Sequence, residues 1–106
     1  QIDFDLIEPV GYFENLQLIK NSDLVITDSG GVVKEAYWSK KISILLMERP
    51  VWPELVALDS CVNVKSDYDE ILNTYDELIN MKPVFDSDVY GVGDASKKIA
   101  KILCKN

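Results

Sequence analysis

The residues best suited to binding a ligand lie in the stretch DSGGVVKE, which follows the apolar run LVIT. Ser29 is a favourable helix N-cap, because its hydroxyl can accept hydrogen bonds from backbone N–H groups of the first helical turn. Gly30 and Gly31 carry no side chains, so an anion can approach those N–H groups closely. The helix dipole also favours negative charge there. A diphosphate is the ligand that such a helix start would suit.

Glu35 adds a second polar feature to this stretch. It lies four residues after Gly31, on the same helix face and one turn deeper. A carboxylate at that position can accept hydrogen bonds from two vicinal hydroxyls, and a diol beside a phosphate is the polarity pattern of a ribose phosphate. The same residues also fit an ordinary capped helix with a solvated glutamate. Spacing alone slightly favours this simpler interpretation.

The composition argues against several classes of function. The 106 residues have a net charge of −7, whereas binding to nucleic acid or to anionic lipid requires a basic surface. The chain has no histidine, which removes the commonest acid–base group and most zinc chemistry. We therefore expect no nucleic-acid or membrane partner, no metal and no cofactor. Cys61 and Cys104 are expected to be buried, unpaired thiols of a cytoplasmic protein.

Strand and helix patterns alternate along the chain, which predicts an α/β fold with a mostly parallel sheet. Strand-like runs occupy residues 2–8, 23–27, 42–47 and 61–64, and helical patterns occupy residues 12–19, 31–39, 53–58, 66–79 and 95–103. In open sheets of this kind, ligands bind at the carboxyl ends of the strands. The turns after Glu8, Thr27 and Met47 are therefore the places to look for a site.

The apolar spacing also predicts which faces are buried. The runs at 23–27 and 42–47 are expected to be buried on both faces. Three helices are expected to bury an apolar face. These faces consist of Tyr12, Phe13, Leu16 and Ile19; of Tyr68, Ile71, Leu72, Tyr75, Leu78 and Ile79; and of Ala95, Ile99, Ile102 and Leu103.

Four segments together resemble the C-terminal domain of the UDP-N-acetylglucosamine 2-epimerases, a family that includes the UDP-2,3-diacetamido-glucuronic acid 2-epimerases. They are EPVGY, IKNSDLVITDSGGVVKEAYW, WPEL and YGVGDASKKI. The resemblance implies a GT-B architecture, in which two Rossmann-like domains face each other and UDP binds mainly to the C-terminal one. Residues 1–106 would then be one domain, the later part of that Rossmann-like C-terminal domain with its open sheet and flanking helices.

The resemblance also implies roles for individual residues. Residues 29–31 match the diphosphate-binding turn, Glu35 matches the acceptor of the ribose hydroxyls, and Val10 and Asn15 match the vicinity of uracil. The family reaction inverts C2 of a UDP-HexNAc sugar by elimination and re-addition of UDP, with acid–base groups that lie largely outside this stretch. We therefore expect a UDP-sugar ligand, an N-terminal domain as partner, no catalytic residue here and no activity of these residues alone. A homodimer of the full-length protein is compatible with this expectation.

The chain departs from the family pattern after its third predicted strand. Where relatives have Arg-Asp-x-Thr-Glu, the arginine is replaced by Met47, the threonine by Pro50 and the glutamate by Val51. Arg49 lies two positions from the missing arginine, and arginine geometry tolerates such shifts poorly. Trp52 stands where relatives have Arg or Trp, and it could either line the cleft or pack in the core.

These departures leave two alternatives to an epimerase. One is a noncatalytic nucleotide-binding or structural remnant of the fold, and the other is a GT-B glycosyltransferase domain.

Two other residues fit structural roles better than chemical ones. Glu54 fits a carboxylate in the first turn of a helix, and Tyr90 fits a turn residue that packs the last helix. The acidic cluster at residues 67–70 fits a solvated helix start rather than a metal site.

Overall fold

The computed structural model describes residues 4–81, Phe85, Tyr90 and residues 93–104. Helices and strands alternate through residues 12–78, as the sequence pattern predicts. In chain order the elements are α1 Tyr12–Lys20, β1 Val25–Thr27, α2 Gly30–Trp38, β2 Ser43–Leu45, α3 Pro53–Ala57, β3 Cys61–Asn63, α4 Tyr68–Leu78 and α5 Ala95–Leu103. None of the helices in the described part of the chain combines the length and apolarity that a membrane span requires.

The three strands form one parallel sheet in the order β1-β2-β3. Thr27 is in register with Leu45, and Leu45 is in register with Asn63, so the carboxyl ends of all three strands meet at one edge. The sheet is parallel because α2 connects β1 to β2 and α3 connects β2 to β3, and parallel neighbours need such crossovers. The predicted α/β fold with a parallel sheet and flanking helices is confirmed.

Two apolar clusters cover the two faces of the central strand, because Ile44 and Leu45 of β2 point to opposite sides. Both side chains are fully buried, as predicted for this strand. The first cluster joins Leu45 to α2 and α3 and consists of Val33, Tyr37, Leu45, Leu55 and Cys61. The second joins Ile44 to α4 and consists of Ile42, Ile44, Val64 and Leu78. The first cluster holds the start of α2 against the carboxyl edge of the sheet.

Two strand predictions need correction. The predicted strand at 2–8 is absent from its described part, because residues 4–8 form no strand; residues 1–3 lie outside the described residues. A strand needs a neighbour to satisfy its backbone groups, and none of the described strands pairs with this segment. β1 was expected to be buried on both faces, yet Ile26 is 46% exposed. β1 lies at the edge of the described sheet, whereas α4 packs on the central strand β2.

The predicted helix faces are correct in position but largely wrong in burial. In α1 only Ile19 is buried and Leu16 is half-buried, whereas Tyr12 and Phe13 are exposed. In α4 only Leu78 is buried and Ile71 is half-buried; the exposed members of that face are Tyr68, Leu72, Tyr75 and Ile79. An amphipathic pattern identifies the face that can be buried, but burial also requires a surface to pack against.

The last helix shows the largest departure from the predicted burial. No residue of α5 is buried, and the side chains expected to point inward, Ala95, Ile99, Ile102 and Leu103, are all exposed. Cys104, which directly follows α5, is exposed as well, so the expectation of two buried thiols is wrong for this residue. Cys61 is buried as expected, and burial raises the pKa of its thiol. The described residues provide no surface that covers the apolar face of α5.

Candidate functional site

The site begins in the turn between β1 and α2. Ser29 is the N-cap of α2, and its Oγ accepts a hydrogen bond from the Val32 N–H at 3.4 Å. The Ser29 N–H in turn donates to Thr27 Oγ1 at 3.0 Å. These two bonds tie the turn to the end of the strand and to the first turn of the helix. The predicted N-cap role of Ser29 is confirmed.

Gly30 and Gly31 present the first two N–H groups of α2. Helix geometry leaves such groups without an intrahelical acceptor, and neither N–H is bonded to any residue that the structure describes. Gly31 is exposed, and a Cβ at this position would meet only Ser29 Oγ, at 3.8 Å. The N–H of Gly31 is therefore open to an approaching anion.

Gly30 is constrained differently, because the segment before α3 packs against it. A Cβ at Gly30 would lie 3.2 Å from Val51 Cγ1 and 3.4 Å from Trp52 Nε1. The indole N–H of Trp52 donates to the Gly30 carbonyl oxygen at 2.7 Å. Trp52 also packs on the apolar cluster around Leu45. The indole therefore has a core role and a second role at the start of α2.

Around this indole lies a group of polar and aromatic side chains that we call the Trp52 cluster: Lys34, Trp52, Glu54 and Tyr90. The Lys34 ammonium lies 3.8 Å from the Trp52 ring centroid and 4.4 Å from that of Tyr90. The Tyr90 hydroxyl donates to Glu54 Oε1 at 2.6 Å. That bond lowers the pKa of Glu54, with a smaller contribution from Lys34. Burial, and then Glu54, raises the pKa of Tyr90.

Glu35 is half-buried on α2, one turn after Gly31. Its carboxylate forms no ion pair or hydrogen bond with the described residues. Within the described part of the chain, no group competes with a ligand for the two carboxylate oxygens. The structure places this acceptor and the open N–H groups of Gly30 and Gly31 on one helix.

The other predicted site residues are less closely associated with α2. Val10 is exposed and precedes α1, and Asn15 is half-buried in α1, which packs against α2. The described residues show no hydrogen bond from Val10 or Asn15 to residues 29–35. Arg49 is exposed, and its carbonyl oxygen accepts from Asn63 Nδ2 at 2.8 Å. Its guanidinium has no ion-pair partner in the described part of the chain.

Sequence reasoning missed two residues that shape the site. Lys34 follows Gly30 by four positions, a helical spacing that places both residues on one face of α2. This spacing is the sequence feature that could have identified Lys34. Asn63 ends β3, and its Nδ2 donates to the carbonyls of Met47 and Arg49. The register between strands could not be derived from the sequence, so no sequence feature indicated the contact between Asn63 and this segment. Tyr90 has a packing role, but it packs on the apolar cluster around Leu45; the predicted packing against the last helix stays a prediction.

Comparison with known proteins supports an assignment to a family. A family model described as UDP-N-acetylglucosamine 2-epimerase matches residues 2–104. UDP-2,3-diacetamido-2,3-dideoxy-D-glucuronate 2-epimerase of Pseudomonas aeruginosa is 36% identical over 105 residues, which are 99% of this chain and 30% of that protein. UDP-N-acetylglucosamine 2-epimerase of Methanocaldococcus jannaschii is 35% identical over 98 residues, which cover 92% of this chain and 26% of the relative.

Solved structures show the same likeness. The M. jannaschii UDP-GlcNAc 2-epimerase, determined in complex with UDP-GlcNAc and UDP, matches with a TM-score of 0.81 and 34% identity, over 92% of this chain and 26% of that one. The Neisseria meningitidis UDP-GlcNAc 2-epimerase bound to UDP-GlcNAc matches with a TM-score of 0.70 and 30% identity, over 94% and 29%. The chain thus spans less than a third of the length of these relatives. Because the family model covers nearly all of its residues, the chain belongs to the UDP-N-acetylglucosamine 2-epimerase family.

Proposed function

We propose that Ser29, Gly30, Gly31 and Glu35 form a UDP site, which binds the nucleotide part of a UDP-sugar. The observation that carries the proposal is the start of α2, where two N–H groups and a carboxylate one turn away have no partner among the residues that the structure describes. The relative from M. jannaschii was solved with UDP-GlcNAc and UDP, which supports the choice of nucleotide. In this proposal the diphosphate binds at residues 29–31 and the ribose at Glu35.

The physical basis of binding is hydrogen bonding at a site of matched polarity. The N–H groups of Gly30 and Gly31 donate to phosphate oxygens, and each charge-assisted bond contributes about 1.5–3 kcal/mol. The helix dipole adds about 0.3–1 kcal/mol. The Glu35 carboxylate accepts from the two ribose hydroxyls, and Val10 and Asn15 lie toward the uracil. No lysine or arginine is required at the phosphates, which is consistent with the net charge of −7.

We further propose that the protein in its natural length inverts C2 of a UDP-HexNAc sugar. In that reaction UDP leaves C1 as the C2 proton is removed, and UDP then returns to C1 of the glycal while a proton is added to the opposite face of C2. UDP is therefore both leaving group and incoming nucleophile. The part of the reaction assigned to this chain is to hold UDP between the two steps, beside an N-terminal domain.

A noncatalytic nucleotide-binding protein is the second candidate, and one contact favours it. Val51 replaces the glutamate that relatives have, and its Cγ1 packs toward Gly30, with 3.2 Å to a Cβ placed there. An apolar side chain cannot act as an acid, a base or a ligand for a hydroxyl. UDP binding without turnover is the behaviour that this second candidate predicts.

The test of the UDP site is calorimetric titration of the protein in its natural length with UDP and with 2′-deoxy-UDP. Because Glu35 is assigned to the ribose diol, we expect Glu35→Ala to weaken UDP binding about 10-fold, which corresponds to about 1.4 kcal/mol. The wild-type protein should prefer UDP over the deoxy analogue, and Glu35→Ala should abolish that preference.

Glu77→Ala serves as the matched control, because Glu77 is an exposed glutamate on α4 that leaves α2 untouched. It should bind both ligands as the wild type does. Unchanged UDP affinity in both Glu35→Ala and Gly31→Val would show that the nucleotide does not bind at the start of α2.

A further inference from the structure

We infer that Trp52 and Lys34 are positioning residues for the UDP site. Lys34 holds the indole of Trp52 in place. The indole in turn fixes the peptide unit between Gly30 and Gly31, and the N–H of that unit faces the phosphates. The inference rests on the proposed UDP site. It assigns a purpose to side chains that the site itself does not include. Both residues act through the backbone of α2, so neither is expected to touch the reacting atoms.

The first step concerns the peptide unit between the two glycines. The carbonyl of Gly30 and the N–H of Gly31 belong to one planar trans unit, so they point in opposite directions. Trp52 Nε1 donates to the carbonyl at 2.7 Å. A bond at one end of the unit orients the other end and polarises its N–H. This constraint matters because two adjacent glycines give the backbone more conformational freedom than any other pair.

The second step concerns what holds the indole in place. The Lys34 ammonium lies 3.8 Å from the Trp52 ring centroid, at the distance of a cation–π contact. The same ammonium lies 4.4 Å from the Tyr90 ring, whose hydroxyl is bonded to Glu54 at 2.6 Å. The indole and the Tyr90 ring meet edge to face, with centroids 6.3 Å apart. Lys34 is therefore shared between two rings that pack on each other.

The segment that carries Trp52 is also fixed at its other end. Asn63 Nδ2 donates to Met47 O at 3.3 Å and to Arg49 O at 2.8 Å, which ties the segment to the end of β3. Trp52 itself is the N-cap residue of α3. With both ends held, the indole has little freedom to withdraw from Gly30. Removing the Lys34 ammonium loosens one face of the ring without disturbing these anchors.

A simpler role for Lys34 would be a direct electrostatic attraction to phosphate. A double-mutant cycle separates the two roles, because a positioning residue has no effect once the residue that it positions is gone. The variants are Lys34→Met, Trp52→Leu and the pair, in the protein in its natural length. Methionine has a helix propensity close to that of lysine, so the helix is retained.

We expect Lys34→Met to weaken UDP binding about 3- to 10-fold and Trp52→Leu about 10-fold or more. The double variant should bind as Trp52→Leu does, to within about twofold. An additive loss in the double variant would mean that Lys34 acts by its charge, and it would overturn the inference. Lys34→Arg should retain most of the affinity, because a guanidinium also stacks on aromatic rings. Equal losses in the Arg and Met variants would contradict the inference as well.

Two further measurements make the outcome unambiguous. Lys97→Met removes the same charge from an exposed position on α5 and should leave UDP affinity unchanged. In ¹H–¹⁵N spectra without UDP, Lys34→Met should shift the Trp52 indole and Gly31 amide signals, whereas Lys97→Met should shift neither. If Glu35→Ala also leaves UDP affinity unchanged, the proposed site fails. If only the Lys34 and Trp52 variants bind like the wild type, the UDP site stands and the positioning role is wrong.

Discussion

Gly30 and Gly31 are adjacent in sequence, but their Cα atoms face different surroundings. Gly31 borders open space next to Ser29 Oγ, whereas Gly30 is covered by Val51 and Trp52. The absence of a side chain therefore leaves open space at Gly31, where we propose that the diphosphate binds, and permits close packing at Gly30. The same substitution at the two positions should separate binding from stability.

We predict that Gly31→Val weakens UDP binding at least 10-fold, because its methyl groups obstruct the approach to the N–H, while the unfolding free energy changes by less than about 1 kcal/mol. Gly30→Val should instead lower the unfolding free energy by about 1–3 kcal/mol, because its side chain clashes with the packed segment. Urea denaturation and UDP titration measure the two effects. A larger stability loss at Gly31 than at Gly30 would contradict this assignment.

At the scale of elements, the bond between Tyr90 and Glu54 links α3 to a residue far along the chain. Tyr90 lowers the pKa of Glu54 from its ordinary 4.5, so the bond stabilises the fold above about pH 4.5 and less as the pH falls further. The pKa of Tyr90 is raised from 10.0, first by burial and then by Glu54. This contribution is present below about pH 10 and is lost as the pH rises, because the unfolded tyrosine then ionises.

Tyr90→Phe should therefore lower the unfolding free energy most between about pH 5 and pH 9, and less at about pH 3.5 and pH 10.5. Urea denaturation across this range gives the difference from the wild type at each pH. Tyr75→Phe is the control, because the hydroxyl of Tyr75 has no hydrogen-bond partner among the described residues. A Tyr90→Phe deficit that does not change with pH would mean that ring packing, rather than the bond to Glu54, carries the effect.

The elements also show how far local sequence patterns reach. The cap at Ser29, the short helix begun by Pro53 and the buried strand β2 follow from residues close to one another, and the structure bears them out. The burial predicted for α5 is not observed, because burial requires a covering surface that the described residues do not provide. Likewise, the sequence alone does not distinguish Lys34 from other helix residues, because its contacts with Trp52 and Tyr90 appear only in the structure. Local sequence patterns do not predict contacts between segments that are distant in the chain.

At the scale of the whole molecule, the question is whether UDP binding is coupled to chemistry. The epimerase reaction that we propose draws its acid–base groups largely from residues outside this chain, and the chain itself contains no histidine. We predict that the protein in its natural length, incubated with UDP-GlcNAc in D₂O, incorporates deuterium at C2, because the proton removed there exchanges with solvent. NMR of the recovered sugar nucleotide measures the exchange, and Glu35→Ala should slow it.

The possible outcomes of this incubation correspond to the candidate functions. UDP binding without deuterium at C2 would support the noncatalytic protein that the Val51 contact favours. Transfer of the sugar to an acceptor, with the C2 hydrogen retained, would indicate a glycosyltransferase instead. Deuterium at C2 together with a 2-epimer of the substrate would establish the epimerase.

The Trp52 cluster also has a consequence for the order in which the protein is made. The turn at residues 29–31 leaves the ribosome well before Trp52, and Tyr90 follows later still. Until Tyr90 emerges, Lys34 lacks one of its two rings and Glu54 lacks its hydroxyl donor. A nascent chain that ends before residue 90 contains the residues of the Trp52–Gly30 bond and of the Lys34–Trp52 contact, but it lacks the contacts that Tyr90 makes with Lys34 and Glu54. The Trp52 cluster is therefore completed only once residue 90 has been made, well after Lys34 and Trp52.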